Sequence, residues 1–171
     1  MGRGVVPVVG TVLEALRDVF CNEEKPPLGG VTMQPQHRPG GDVALDWLWE
    51  DGCDGLVWVN VVRLYRTTSF PAESDQGRPC GGPLVAVLQL GVARCVSTLD
   101  DGGRPPSPGD MEQDALVGLD DAVRLEAALC RARKWCEDRG LVTDSVHTGV
   151  EPIGPSGGSL VWVQTWTVQL Q

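Results

Sequence analysis

Gly154-Pro155-Ser156-Gly157-Gly158 matches G-x-S-x-G, the nucleophile elbow of hydrolases, where a strand-to-helix turn exposes a Ser hydroxyl for attack on an acyl carbon. Its context does not support that chemistry. An elbow is followed by a helix, whereas residues 160–170 alternate like a strand, and no acid or His follows Ser156 to complete a triad. Pro155 and the glycines read as a turn. The acidic groups Asp42/Asp46/Glu50, Asp100-Asp101 and Asp120-Asp121 suggest metal-assisted hydrolysis, which needs carboxylates converging with a Lys or His. The first group lies on the polar face of a predicted strand and the last on the polar side of a predicted helix. Both read as solvated surface or as a channel wall. His37 sits between prolines in a loop and His147 in a polar strand segment, so each reads as a surface residue. No phosphate-cradling Gly-rich loop with a following Lys is present.

The six cysteines, at 21, 53, 80, 95, 130 and 136, include no C-x-x-C pair. They read as small buried hydrophobes with one loop thiol at Cys80, unpaired and metal-free. Cys130 and Cys136, six apart on a predicted helix, point to different faces. No catalytic, cofactor-binding or metal-ligating residue is therefore assigned. The chain is expected to be no enzyme and to need no cofactor.

The chain has 171 residues, one domain's worth, and a net charge of −9 with only two Lys, Lys25 and Lys134. Binding nucleic acid by neutralising phosphates needs clustered cations, so tight DNA or RNA binding is not expected, nor is a polybasic membrane contact. An acidic wall would instead let DNA slide past. No secretory signal and no apolar run near the roughly 20 residues of a membrane span is visible. Synthesis and folding in a cytoplasm are expected. Five of the six Trp, at 47, 49, 58, 162 and 166, fall in strand-like segments, as expected of a core or an interface.

The elements follow from periodicity. Residues 8–22 form a predicted helix, capped by Thr11 and Glu14 at capping-box spacing, with Val12, Leu13, Leu16, Val19 and Phe20 as its apolar stripe. Residues 31–36 read as a short strand. Residues 42–50 and 56–66 read as a hairpin around Asp51–Gly55, the second strand carrying Val57, Val59 and Val61 on one face and Trp58, Val62 and Leu64 on the other. A long loop over 67–83 leads to a strand over 84–97, and a second loop spans 97–109. Residues 110–140 form the longest helix, with Asp110 as N-cap and Ala115, Leu119, Ala122, Leu125, Leu129, Ala132 and Cys136 as its buried stripe. Strands over 142–151 and 160–170 close the chain, joined by a turn over 152–158. In the last strand Leu160, Trp162, Trp166, Val168 and Leu170 share one face, which Gln164 interrupts. The predicted fold is one α+β domain, 1–171, in which a mixed or antiparallel sheet of about four to six strands packs against an N-terminal helix and one long central helix.

Several segments resemble tail terminator proteins of long-tailed (siphovirus-type) bacteriophages of actinobacterial hosts. They are VVGTVLEALRDVF at 8–20, VNVVRLYRTTSFPAE at 59–73, CGGPLVAVLQLGVARC at 80–95, DDGGRPPSPGDMEQDALVGLDDAVRLEAALCRA at 100–132 and VEPIGPSGGSLVWVQTWTVQL at 150–170. Together they cover most of the chain. Related neck proteins, the head–tail stopper and connector, look similar at this level. The resemblance implies a virion structural protein made in the host cytoplasm. It would form a homohexameric ring that caps the tail tube, ends its polymerisation and joins the tail to the head. The implied partners are further copies of the chain, the major tail tube protein, the head–tail connector or stopper, and genomic DNA passing through the lumen without specific binding. No membrane partner is implied. A small hydrolase and a monomeric binding module are the readings from other classes. Trp-bearing strand faces are expected to need burial by neighbouring copies.

Overall fold

The computed structural model describes residues 4–43, 45, 48, 53–73 and 81–171. Trp47, Trp49, Asp46, Glu50 and Cys80, to which expectations above attach, lie outside them. The fold is α+β, with one mixed six-stranded sheet and, among the described residues, two long helices.

Helix α1 spans Val5–Phe20 and begins three residues before the expected start. Pro7 falls in its first turn, where a missing N–H costs no intrahelical bond, so the Val5-Val6 pair extends the helix back to Gly4. The expected capping box is therefore absent. The Thr11 hydroxyl, buried mid-helix, donates to the Pro7 carbonyl at 2.9 Å, and Glu14 pairs with Arg139 at 2.8 Å.

The strands are β1 (Gln36–Arg38), β2 (Leu56–Arg66), β3 (Leu84–Cys95), β4 (Val142–His147), β5 (Glu151–Ser156) and β6 (Ser159–Leu170). They run in the order β1-β2-β3-β6-β4, with β5 beside β4 along the same edge of β6. Among the described strands only β1 and β2 run parallel. The first strand of the expected 42–66 hairpin lies largely outside the described residues; β2 pairs with β1 along one edge and with β3 along the other. The short strand lies at 36–38, not 31–36. The expected turn over 152–158 is mostly β5, and the hairpin reverses on Gly157 and Gly158 alone, at φ +55° and +76°. A bulge at Val62 swings Leu64 to the helix-facing side, opposite Ala86, and not to the reverse side its spacing suggested.

Helix α2 spans Pro108–Asp138. Ser107 is its N-cap: the Ser107 hydroxyl accepts from the Asp110 N–H, and the Asp110 carboxylate accepts from the Ser107 N–H. Asp110 is thus the third helical residue and not the cap. Leu125, Leu129, Ala132 and Cys136 are buried as expected, but Ala115 and Leu119 are exposed and Ala122 half-buried. The geometric cause is simple. A row taken in steps of four advances about 40° round the helix per step, so Met111, Ala115, Leu119 and Val123 climb off the core face. Gly118 takes the contact in their place, where an added Cβ would lie 2.8 Å from Leu160 and 3.0 Å from Trp162.

α1 and α2 lie side by side on one sheet face over Val59, Leu88, Leu90, Trp166 and Val168. A smaller core on the reverse face gathers Leu48, Leu56, Trp58, Ala93 and Val161, with Val43 and Leu45 packed on it. Two-sided cover at this end corrects the expectation about Trp. Trp58 and Trp166 are buried within one copy, so they signal core and not interface. Trp58 fits because its cross-strand partner is Gly91, where a Cβ would come within 2.2 Å of the indole. Gly91→Ala is expected to cost about 3 kcal/mol by overpacking. Urea denaturation checks this, with an unchanged midpoint contradicting the packing.

Candidate functional site

Among the described residues, the sequence motifs are not brought together at one site. Ser156 ends β5 at an exposed hairpin tip and is followed by a turn and a strand. His37 lies on β1 and His147 on β4, on the two outermost strands of the sheet. Among the described residues, no three His, Cys, Asp or Glu side chains are grouped to hold a metal ion. Asp100 organises its own loop, accepting from the Gly102 and Arg104 N–H groups at 2.8 and 2.9 Å.

Asp120 and Asp121 are not the solvated pair the sequence suggested. Asp121 is 1% exposed and receives the Arg94 guanidinium, Nε at 2.6 Å and the second nitrogen at 3.2 Å. The same guanidinium donates to the carbonyls of Gly29 and Gly30 at 2.8 and 2.9 Å, and more weakly to that of Asp54. Asp120 accepts the Leu28 N–H at 2.8 Å and pairs with Arg124, which also donates to the Val19, Lys25 and Pro26 carbonyls. Burial raises the Asp120 pKa, but the Leu28 and Arg124 contacts outweigh it and hold the carboxyl below its ordinary value. The pair therefore anchors the segment after α1 to α2. Gly29 must be small here, since a Cβ would lie 2.9 Å from the Arg94 guanidinium. Sequence reasoning missed Arg94. Its signal was a lone cation in a strand that is apolar but for Gln89.

The cysteine reading also needs correction, because Cys53 and Cys95 form a disulfide with Cα atoms 5.7 Å apart. The β2–β3 register creates it: Leu56 pairs with Ala93, which brings the turn before β2 beside the end of β3. Cys21, Cys130 and Cys136 are free, and burial pushes the Cys136 thiol up to about 11.

What the fold leaves unsatisfied is an apolar surface. The flank of α2 turned away from α1 exposes Met111, Leu116, Leu119 (56%) and Val123 (69%). At its N-terminal end a groove of about 410 Å³ opens between α2, the end of β3 and the β5–β6 hairpin tip, lined by Val96, Pro106, Met111, Ala115, Pro155 and Leu160. Exposed Ile153 on β5 and Val146 on β4 add apolar area at the neighbouring sheet edge. Between positions 108 and 123 the helix carries five Asp or Glu and no Lys or Arg.

No protein-family model and no curated protein matches the chain. Among the described residues no helix is long and apolar enough to cross a membrane.

Proposed function

We propose that this chain is a virion ring subunit of the tail terminator type. In this reading six copies close around the DNA channel, cap the finished tail tube, stop its polymerisation and present a surface to the head connector. One observation carries the proposal: a long helix leaves one apolar flank uncovered beside an open sheet edge. Exposed apolar side chains in a row, in a molecule with two buried cores of its own, favour contact with further protein. The net charge of −9 suits a wall past which DNA moves without adhering. An open sheet with a 31-residue helix also fits a terminator better than the small β-barrel of a head–tail stopper.

Electron microscopy of the purified chain, alone and mixed with tail tubes, tests the proposal. Rings, and caps at one end of tubes whose growth then stops, are expected. Continued tube growth with no bound protein would contradict it.

A further inference from the structure

We propose that copies of this chain join head to tail, the α1/β1 end of one docking on the α2/β4–β5 end of the next. This rests on the ring reading and specifies which surfaces make the ring. The two helices face each other across one line of contact, where Glu14 pairs with Arg139 and Asp18 with Arg131. Each helix therefore has one outer flank. That of α1 presents Val6 (78% exposed), exposed Gly10, half-buried Leu13 and Arg17 in a row. It lies towards β1, since Arg17 donates to the Gln34 side chain at 2.8 Å just before that strand. Both ends of the helical layer are thus apolar, and each sits beside an outermost strand, a ready template for pairing with another chain.

The two ends differ in charge. Arg17, exposed on the α1 flank, puts a cation at that end. The opposite end carries exposed Glu112 on α2 and exposed Glu151 on β5. Glu112 stands one turn before Leu116, on the same stripe as Leu119 and Val123. Among the described residues, neither Arg17 nor either of these two Glu is in an ion pair. Docking unlike ends brings opposite charges together over apolar centres. A two-fold pairing of α2 flanks would instead set the exposed, unpaired Glu112 of one copy against the same acidic stripe of the other. Contact between two different patches is heterologous, and such contacts close into rings when the rotation permits.

Complementation tests this. Val6→Asp damages only the α1 end and Leu119→Asp only the α2 end. Both positions are solvent-exposed in one copy, so thermal melts should match the wild type. Each variant alone should need about 30-fold or more protein to assemble. An equimolar mixture should form one-to-one dimers through the single intact interface, read by sedimentation at concentrations where the wild type assembles. Normal assembly of Val6→Asp, or a mixture that stays monomeric, overturns this assignment of the two docking surfaces while the ring reading stands. A wild type monomeric at every concentration overturns the ring reading itself.

Discussion

Asp121→Ala should lower folding stability by about 3–5 kcal/mol, because it strands the Arg94 guanidinium in the interior without its counter-charge. Arg94 ties β3 to α2, to the Gly29-Gly30 carbonyls and to the turn before β2, so four segments lose a common anchor. The double change Arg94→Met, Asp121→Leu should recover much of the loss, since apolar groups of similar size leave no buried charge. It would still leave the Gly29 and Gly30 carbonyls without their donor, and recovery should be incomplete. Guanidinium denaturation of the wild type and both variants checks both statements. A single variant within about 1 kcal/mol of the wild type would mean the ion pair is solvated and not the anchor described.

Cys95→Ser should cost about 4 kcal/mol, the chain-entropy value for releasing a cross-link across a sequence separation of 42 residues. The bond fastens the turn leading into β2 to the end of β3, beside the smaller core of Leu48, Leu56 and Trp58. A reductant should bring the wild type close to the variant's melting temperature and leave the variant unmoved. Thiol labelling of the native protein gives a second readout. Exposed Cys130 should react, while Cys136, held protonated by burial, and the bonded pair should not. Labelling of Cys53 and Cys95 without reductant would contradict the bond. A disulfide also sits poorly with folding in a reducing cytoplasm, so it is expected to close only after the chain meets an oxidising medium.

The sequence shows some of this architecture and hides other parts for physical reasons. The bounds of β2 were legible, because eleven residues with Val or Leu at most positions leave little choice of period, but the bulge at Val62 that turns Leu64 to the other face was not. The face assignment of β6 was equally clear, Gln164 included. Gln164 is buried at a helix-facing position, where its amide donates to Glu126 and to the Thr148 carbonyl at 3.0 Å. What failed were inferences from local motifs about non-local partners. Thr11 and Glu14 have capping-box spacing, yet the helix starts earlier and spends both residues elsewhere. β2 pairs with parallel β1 on one edge and with β3, beyond the 67–83 loop, on the other, and no short-range pattern reveals either pairing. The Cys53–Cys95 bond follows from the β2–β3 register and the Arg94–Asp121 pair from the packing of α2 over the end of β3, so neither was visible in the sequence. On α2, spacing alone assigns Ala115 and Leu119 to the core, whereas the structure leaves both in solvent. Periodicity reports that a face is greasy, not what covers it.

Sedimentation equilibrium of the wild type beside Leu119→Asp, over a wide range of concentration, tests the central claim most directly. The wild type should pass from monomer to one closed assembly of fixed mass, while Leu119→Asp stays monomeric with an unchanged thermal melt. Two superimposable monomeric profiles would contradict it, as would an assembly that tolerates a carboxylate at position 119.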